Sequence, residues 1–203
     1  MKSVVSKIKP ASGFSHIFHI LLTLLLPALM FVLVRINLAQ IAAILVLISK
    51  WRMFAVRPRY WPANIRANAV DLIIGLSSLV FMVNTSYASW QLVWAAVYAV
   101  WLLFIKQGSS VLKISLQAGL GQVFGLMALY MGWGDAPAVV LIIASWAVCY
   151  LSARHFFTSF DEPYSSLLSH YWGYFAGALA WVLSHWLIYY GVLAQVTLIL
   201  SVL

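Results

Sequence analysis

Long apolar runs alternate with short cation-bearing turns along this 203-residue chain. That alternation constrains the fold more than any other feature. In hydrocarbon every backbone N–H and C=O must be satisfied internally, so a run of about 20 apolar residues reads as a transmembrane helix. The runs fall at 14–34, 36–51, 68–85, 90–105, 111–131, 137–153, 164–190 and 192–203. The expected fold class is therefore all-α: a polytopic helical transmembrane bundle of 7–8 spans, with short loops and no soluble domain, forming a single integral membrane domain over residues 1–203. The last segment is short for a full crossing, which sets the range. The first run carries Pro27, a kink signal, and is too long for the apolar region of a cleaved signal peptide.

The cations give that bundle a direction. Of the twelve Lys and Arg residues, eleven (Lys2, Lys7, Lys9, Lys50, Arg52, Arg57, Arg59, Arg66, Lys106, Lys113 and Arg154) fall in segments that this threading puts on one side, and Arg35 alone falls on the other. The positive-inside rule makes the crowded side cytoplasmic, with the N-terminus there too, in a multi-pass protein of the cell membrane. Composition agrees: 65% of residues are hydrophobic and 8% charged, against about 45–50% and 25% in soluble domains. A net charge of +8 raises nucleic acid as a partner. The cations instead sit in turns beside apolar spans, where anionic lipid headgroups are nearer, so no nucleic-acid partner is expected.

The segment from Lys50 to Arg66 interleaves Arg52, Arg57, Arg59 and Arg66 with Trp51, Phe54, Tyr60 and Trp61. Rings and cations together suit the headgroup layer. The segment is expected to meet anionic headgroups, either as a plain anchor or as a grip on the phosphate of a lipid substrate. Just beyond it, Asn64, Asn68, Asp71, Gly75 and Ser78 follow one another at three- and four-residue spacing. On a helix they make one polar or small stripe rising into the third span. Asp71 is read here as lying in the first turns of that span, with Arg66 and Lys113 as partners. An acid at that position is either a structural ion pair near the interface or a substrate or proton site. Arg52, Arg57, Arg59, Arg66, Asn68, Asp71, Ser78 and Gln117 are the residues expected to meet a substrate.

The histidines and remaining acids suggest a second chemistry. His16, His19, His155, Asp161, Glu162 and His170 all belong to the cytoplasmic side in this threading, as candidate catalytic residues or as ordinary interfacial polar groups. The run from Asp161 to Pro163 reads as the start signal of the seventh span. No recognised ligand spacing joins these residues, and the single cysteine, Cys149, lies in an apolar run, so no metal site is expected. No cofactor is expected either: His170 and His185 lie at opposite ends of one span, but no second helix carries a matching pair to hold two haems.

Two glycine pairs speak to packing. Gly121 with Gly125, and Gly173 with Gly177, are four apart, a spacing that lets helices approach closely in lipid. They are expected to mark close crossings within the bundle or a homo-oligomer interface. Trp90, Trp94, Tyr98 and Trp101 form an aromatic stripe down the fourth span, either a packing face or a groove for a lipid chain.

Three function classes follow. Small-molecule or lipid transport, or lipid binding at the cytoplasmic leaflet, ranks first. It would be favoured if Asp71, Ser78 and Gln117 faced one internal cavity. A membrane-embedded enzyme acting on a lipid-linked or anionic substrate would need the histidines and acids to converge. A non-catalytic subunit or assembly factor of a larger membrane complex would need an open apolar groove.

Overall fold

A computed structural model of the protein describes residues 13–51, 54–55, 57–186, 196 and 199–201, with backbone alone at 13–19, 22 and 185–186. Lys2, Lys7, Lys9 and Arg52, the side chains of His16, His19 and His185, and most of the segment 192–203 lie outside the described residues.

Every described element is helical: α1 (Gly13–Arg35), α2 (Ala39–Ile48), a 3₁₀ turn (Pro58–Tyr60), α3 (Trp61–Val83), α4 (Ala88–Val100) running on into a π-turn (Trp101–Ile105), α5 (Val111–Trp133), α6 (Ala138–Ser159) and α7 (Ser165–Trp186). Among the described residues, four helical stretches are long and apolar enough to cross a membrane: Pro58–Val83, Ala88–Ile105, Val111–Trp133 and Ala138–Ser159. The surface agrees with a lipid solvent. Leu21, Ile44, Phe104, Val139 and Phe175 face outward, while Asp71, Ser78, Gln91, Gln117 and Ser145 are buried. In water that distribution would expose a large apolar patch with no partner.

Three boundaries depart from the sequence expectation. Helix α2 has 10 residues, about 15 Å at 1.5 Å per residue, so it covers only about half of a bilayer core where a span over 36–51 was expected. Helix α3 begins at Trp61 rather than near residue 68. The two prolines explain the early start: Pro58 opens the 3₁₀ turn and Pro62 sits in the first turn of α3, where a missing N–H costs nothing. The basic segment expected as a loop is thus partly helix. Helix α6 runs on to Ser159, past the expected end at 153.

Asp161 and Glu162 do not open α7; they close α6. Asp161 has a left-handed backbone, φ 53°. Its N–H reaches Thr158 O at 3.2 Å, and that of Glu162 reaches Phe157 O at 3.1 Å. Those two bonds make a Schellman closure. The same closure ends α1, with Asn37 at φ 59° and Leu38 N–H on Leu33 O at 2.8 Å. Asn tolerates that conformation better than most residues.

Helix α3 is the hub, packing on α1, α2, α4, α5 and α6. One apolar core joins α1, α2, α3 and α4 through Met30, Val46, Ile74 and Tyr98. A second joins α5, α6 and α7 through Leu126, Cys149 and Ala180, with Val196 and Ile199. The glycines of α5 let the two meet. A Cβ on Gly121 would fall 2.9 Å from Val70 Cγ1 on α3, and one on Gly125 would fall 2.8 Å from Ile73 Cγ2 on α3 and 2.6 Å from Val148 Cγ1 on α6. Gly173 and Gly177 of α7 lie against Trp146 of α6. All four glycines face neighbouring helices of the same chain.

Candidate functional site

The polar stripe of α3 is half-buried at Asn64 and Asn68 and becomes a buried seam from Asp71 to Ser78, where Asp71 and Gly75 face α2 and α4. Asn68 and Ser78 return their donors to their own helix, at Asn64 O (2.9 Å) and Ile74 O (2.8 Å). A Cβ on Gly75 would meet Val46 of α2 and the Tyr98 hydroxyl of α4, each at 2.9 Å. Asp71 is the charged member. It is 6% exposed, and because α3 starts at Trp61 it sits mid-helix rather than in the first turns.

Its partners are not Arg66 and Lys113. Arg66 bonds back to Pro62 O, and Lys113 lies over the turn at Gly108. Asp71 Oδ2 instead pairs with both Lys50 and Lys106, the second at 2.6 Å. The Trp101 indole N–H donates to Oδ1 at 2.9 Å. The short α2 makes this meeting happen: it ends at Ile48, level with the middle of α3, and delivers Lys50 there. The π-turn does the same for α4. In an α-helix, residues five apart such as Trp101 and Lys106 point about 140° away from each other. Here Lys106 N–H bonds to Trp101 O at 2.9 Å, and this wider ring brings both side chains onto the same carboxylate. π-bulges of this kind gather at functional sites.

One carboxylate against two ammonium groups leaves a net positive charge within the bundle. The two lysines are not equivalent. Lys50 is 9% exposed and Lys106 is 38% exposed. One turn before Trp101, Tyr98 is fully buried, and its hydroxyl has no hydrogen-bond partner among the described residues.

Gln117 anchors the end of the π-turn. Its amide nitrogen donates to Ile105 O at 2.7 Å and Gly108 O at 3.1 Å, satisfying carbonyls that a helix end leaves free. Its oxygen lies 2.8 Å from His155 Nε2, so His155 donates there. Asp71, Ser78 and Gln117 therefore spend their polar atoms on protein partners, and none of them lines the surface clefts of about 300–420 Å³. The shared cavity that would favour transport is not among those clefts.

A basic cleft of about 420 Å³ opens beside His155, lined by Arg66 of α3 and by Arg154, His155, Thr158 and Ser159 of α6. Arg154 also donates to Ser165 Oγ at 3.0 Å. Arg57 and Arg59 lie outside it on the exposed 3₁₀ turn, where Arg59 stacks on Tyr60. No known family model, curated protein or solved structure matches this chain. Its function is therefore argued from geometry alone.

The candidate catalytic residues are dispersed among the described side chains. His155 faces Gln117, whereas His170 faces Trp146 and Tyr150 with its ring on Ser166 O. Asp161 and Glu162 sit in the α6 closure. No group of three His, Cys, Asp or Glu able to hold a metal occurs among the described residues. The aromatic stripe of α4 turns progressively inward: Trp90 is exposed, Trp94 packs on Phe81 and Phe124, and Tyr98 and Trp101 are buried. The residues that reading by sequence missed are Lys50 and Lys106 as partners of one acid. Their pairing depends on where two helices stop, and residue spacing carries no signal of that.

Proposed function

We propose that the protein is a multi-pass protein of the cell membrane, threaded 7–8 times with its N-terminus in the cytoplasm, that moves or holds an anionic small molecule or lipid near the cytoplasmic leaflet. The carboxylate of Asp71, shared by Lys50 and Lys106 at the middle of α3, carries this reading. Charged groups buried among membrane helices are costly, and where they occur they mark ion and substrate pathways. Short and interrupted helices that end at such charges are the pattern of transporter binding sites. Lys106, the more exposed cation, is the one that an incoming anion can draw from Asp71. Lys50 then keeps the carboxylate compensated. The basic cleft at Arg66 and Arg154 lies toward the N-terminal end of α3 and suits a phosphate waiting at the leaflet.

A lipid is favoured over a soluble anion by a second groove of about 380 Å³ between α6 and α7, lined by Ile142, Ile143, Trp146, Tyr174 and Trp181. It is apolar and open, fitting an acyl or isoprenoid chain.

Reconstitution into liposomes tests the proposal. Movement of anionic solutes and of fluorescent anionic lipids across the bilayer should exceed that of empty liposomes. Asp71→Asn should bring it down by about tenfold or more when compared on the inserted, monodisperse fraction, because Asn still accepts from Trp101 but no longer compensates Lys50. An unchanged rate in Asp71→Asn removes the role proposed for that acid. Separately, native mass spectrometry of the Arg66→Gln/Arg154→Gln protein should show several-fold less co-purified anionic phospholipid than wild type, with a smaller loss for Arg57→Gln/Arg59→Gln. Equal retention in all three would dispose of the cleft as a headgroup site.

A further inference from the structure

Helix α2 is less than half as long as α1 and α3, the helices it packs between. Its 10 residues rise about 15 Å, against about 34 Å for the 23 residues of either neighbour. Its outward face is apolar, with Ile41, Ile44, Leu47 and Ile48 exposed. Polar groups bound that face at both ends. Arg35, Asn37 and Gln40 stand exposed at its start. Ser49 is exposed just after its last residue, and the exposed rings of Trp51 and Phe54 and the exposed cations Arg57 and Arg59 come next. The position of Lys50 gives the same measure. It is held at Asp71, and from Asp71 to Val83 α3 rises only about 18 Å. The hydrocarbon of an ordinary bilayer is about 30 Å thick, so this side of the bundle matches little more than half of it.

A short apolar face is relieved by thinning of the bilayer, by snorkelling of flanking side chains or by oligomerisation. The borders of α2 decide between them. Rings and cations at the ends of a span seek headgroups, so lipid rather than a second copy covers this face. Snorkelling needs a long cation that reaches outward, and Lys50 is turned inward onto Asp71. Thinning remains. We infer that phospholipids pass between the two leaflets along the outer face of α2, passively, in both directions and whatever their headgroup charge. A headgroup crossing hydrocarbon gives up its water, which is what makes the crossing slow, and a thinned bilayer shortens that crossing. The path lies on the lipid side of α2. It needs neither an exchange of partners at Asp71 nor the basic cleft, so it goes beyond the transport reading and does not rest on it.

The test is dithionite bleaching of liposomes that hold the full-length protein and NBD-labelled phosphatidylcholine. Label in the inner leaflet is protected until it moves outward, so bleaching beyond the outer half reads the exchange. It should run at least about tenfold faster than in empty liposomes, because a shortened path lowers the barrier. An NBD-labelled sugar trapped inside should stay unbleached, and labelled phosphatidylglycerol should move at a rate comparable to that of the zwitterionic lipid. Bilayers of longer acyl chains should slow the exchange several-fold, since thinning them costs more. Arg35→Leu/Gln40→Leu carries the apolar face past the start of α2 and should also slow it several-fold. Both side chains are exposed, so the unfolding temperature of that variant should hardly change. A rate no higher than in empty liposomes, bleaching of the trapped sugar, indifference to both acyl length and the double variant, or near-complete disulfide capture between Ile44→Cys copies in the bilayer would overturn the inference. Movement of phosphatidylglycerol alone would overturn it too and leave the transport reading intact. Exchange of both lipids without any flux of anionic solutes would uphold it without that reading.

Discussion

Asp71→Leu is expected to cost about 3–5 kcal/mol of unfolding free energy, the usual loss when one partner of a buried ion pair is removed. Lys50 causes most of it. At 9% exposure it has no route to water, and without Asp71 its ammonium is either buried unpaired or forced to give up its proton. Lys106, at 38% exposure, can swing its long stem outward. The double variant Lys50→Met/Asp71→Leu should therefore recover most of the loss, because apolar residues of similar volume often replace a buried pair at little cost. Lys106→Met alone should change stability by no more than about 1 kcal/mol, as for a solvent-screened pair. Titrating each variant from mild detergent into SDS measures the series. If the double variant is as unstable as Asp71→Leu, the cost does not come from an orphaned Lys50, and the account of the cluster is wrong.

That ordering also shows which parts of the site could be read from residues and which could not. Stripe periodicity placed Asn64, Asn68, Asp71, Gly75 and Ser78 on one face because a helix repeats every 3.6 residues whatever it packs against. The close approach at Gly121 and Gly125 was legible for a similar reason: a side chain reduced to hydrogen four residues apart has few other uses in lipid. The depth of Asp71 was hidden because hydropathy reports the solvent of a segment and not its backbone. Trp61 to Ala67 are polar and basic enough to look like a loop, yet Pro58 and Pro62 start a helix there and move Asp71 to its middle. The partners of Asp71 were hidden for a different reason. Arg66 and Lys113 are near in any simple threading, but Lys50 arrives only because α2 stops after ten residues, and Lys106 only because the last turn of α4 widens. Neither event follows from local propensity, so residue spacing gives no sign of either. The histidines failed in the other direction. Sharing a leaflet in sequence, His155 and His170 lie on different faces of α6 and α7, since one topological side of a bundle has room for residues that never meet.

The junction between the two cores should be the most fragile place in the protein. Gly125→Leu is expected to lose folded yield almost entirely in detergent, and Gly125→Ala to destabilise by about 1–3 kcal/mol, as overpacking does. Even a single added carbon at Gly125 falls 2.6 Å from Val148 and 2.8 Å from Ile73, so α5 must move away from α3 and α6 at once. Neither neighbour can yield easily, because a β-branched side chain on a helix has one strongly preferred rotamer. Moving α5 also pulls Gln117 from the π-turn carbonyls that position Lys106, so the damage should reach the charge cluster. Gly119→Leu is the matched control. A Cβ there meets nothing within 4 Å, and the same substitution on the same helix should stay within about 0.5 kcal/mol of wild type. Size-exclusion profiles and SDS titration of the two Leu variants separate the outcomes. Comparable losses in both would mean that glycine supports α5 through its backbone freedom, whereas loss at Gly125 alone would mean that the two cores are held together by the closeness of α5 to α3 and α6.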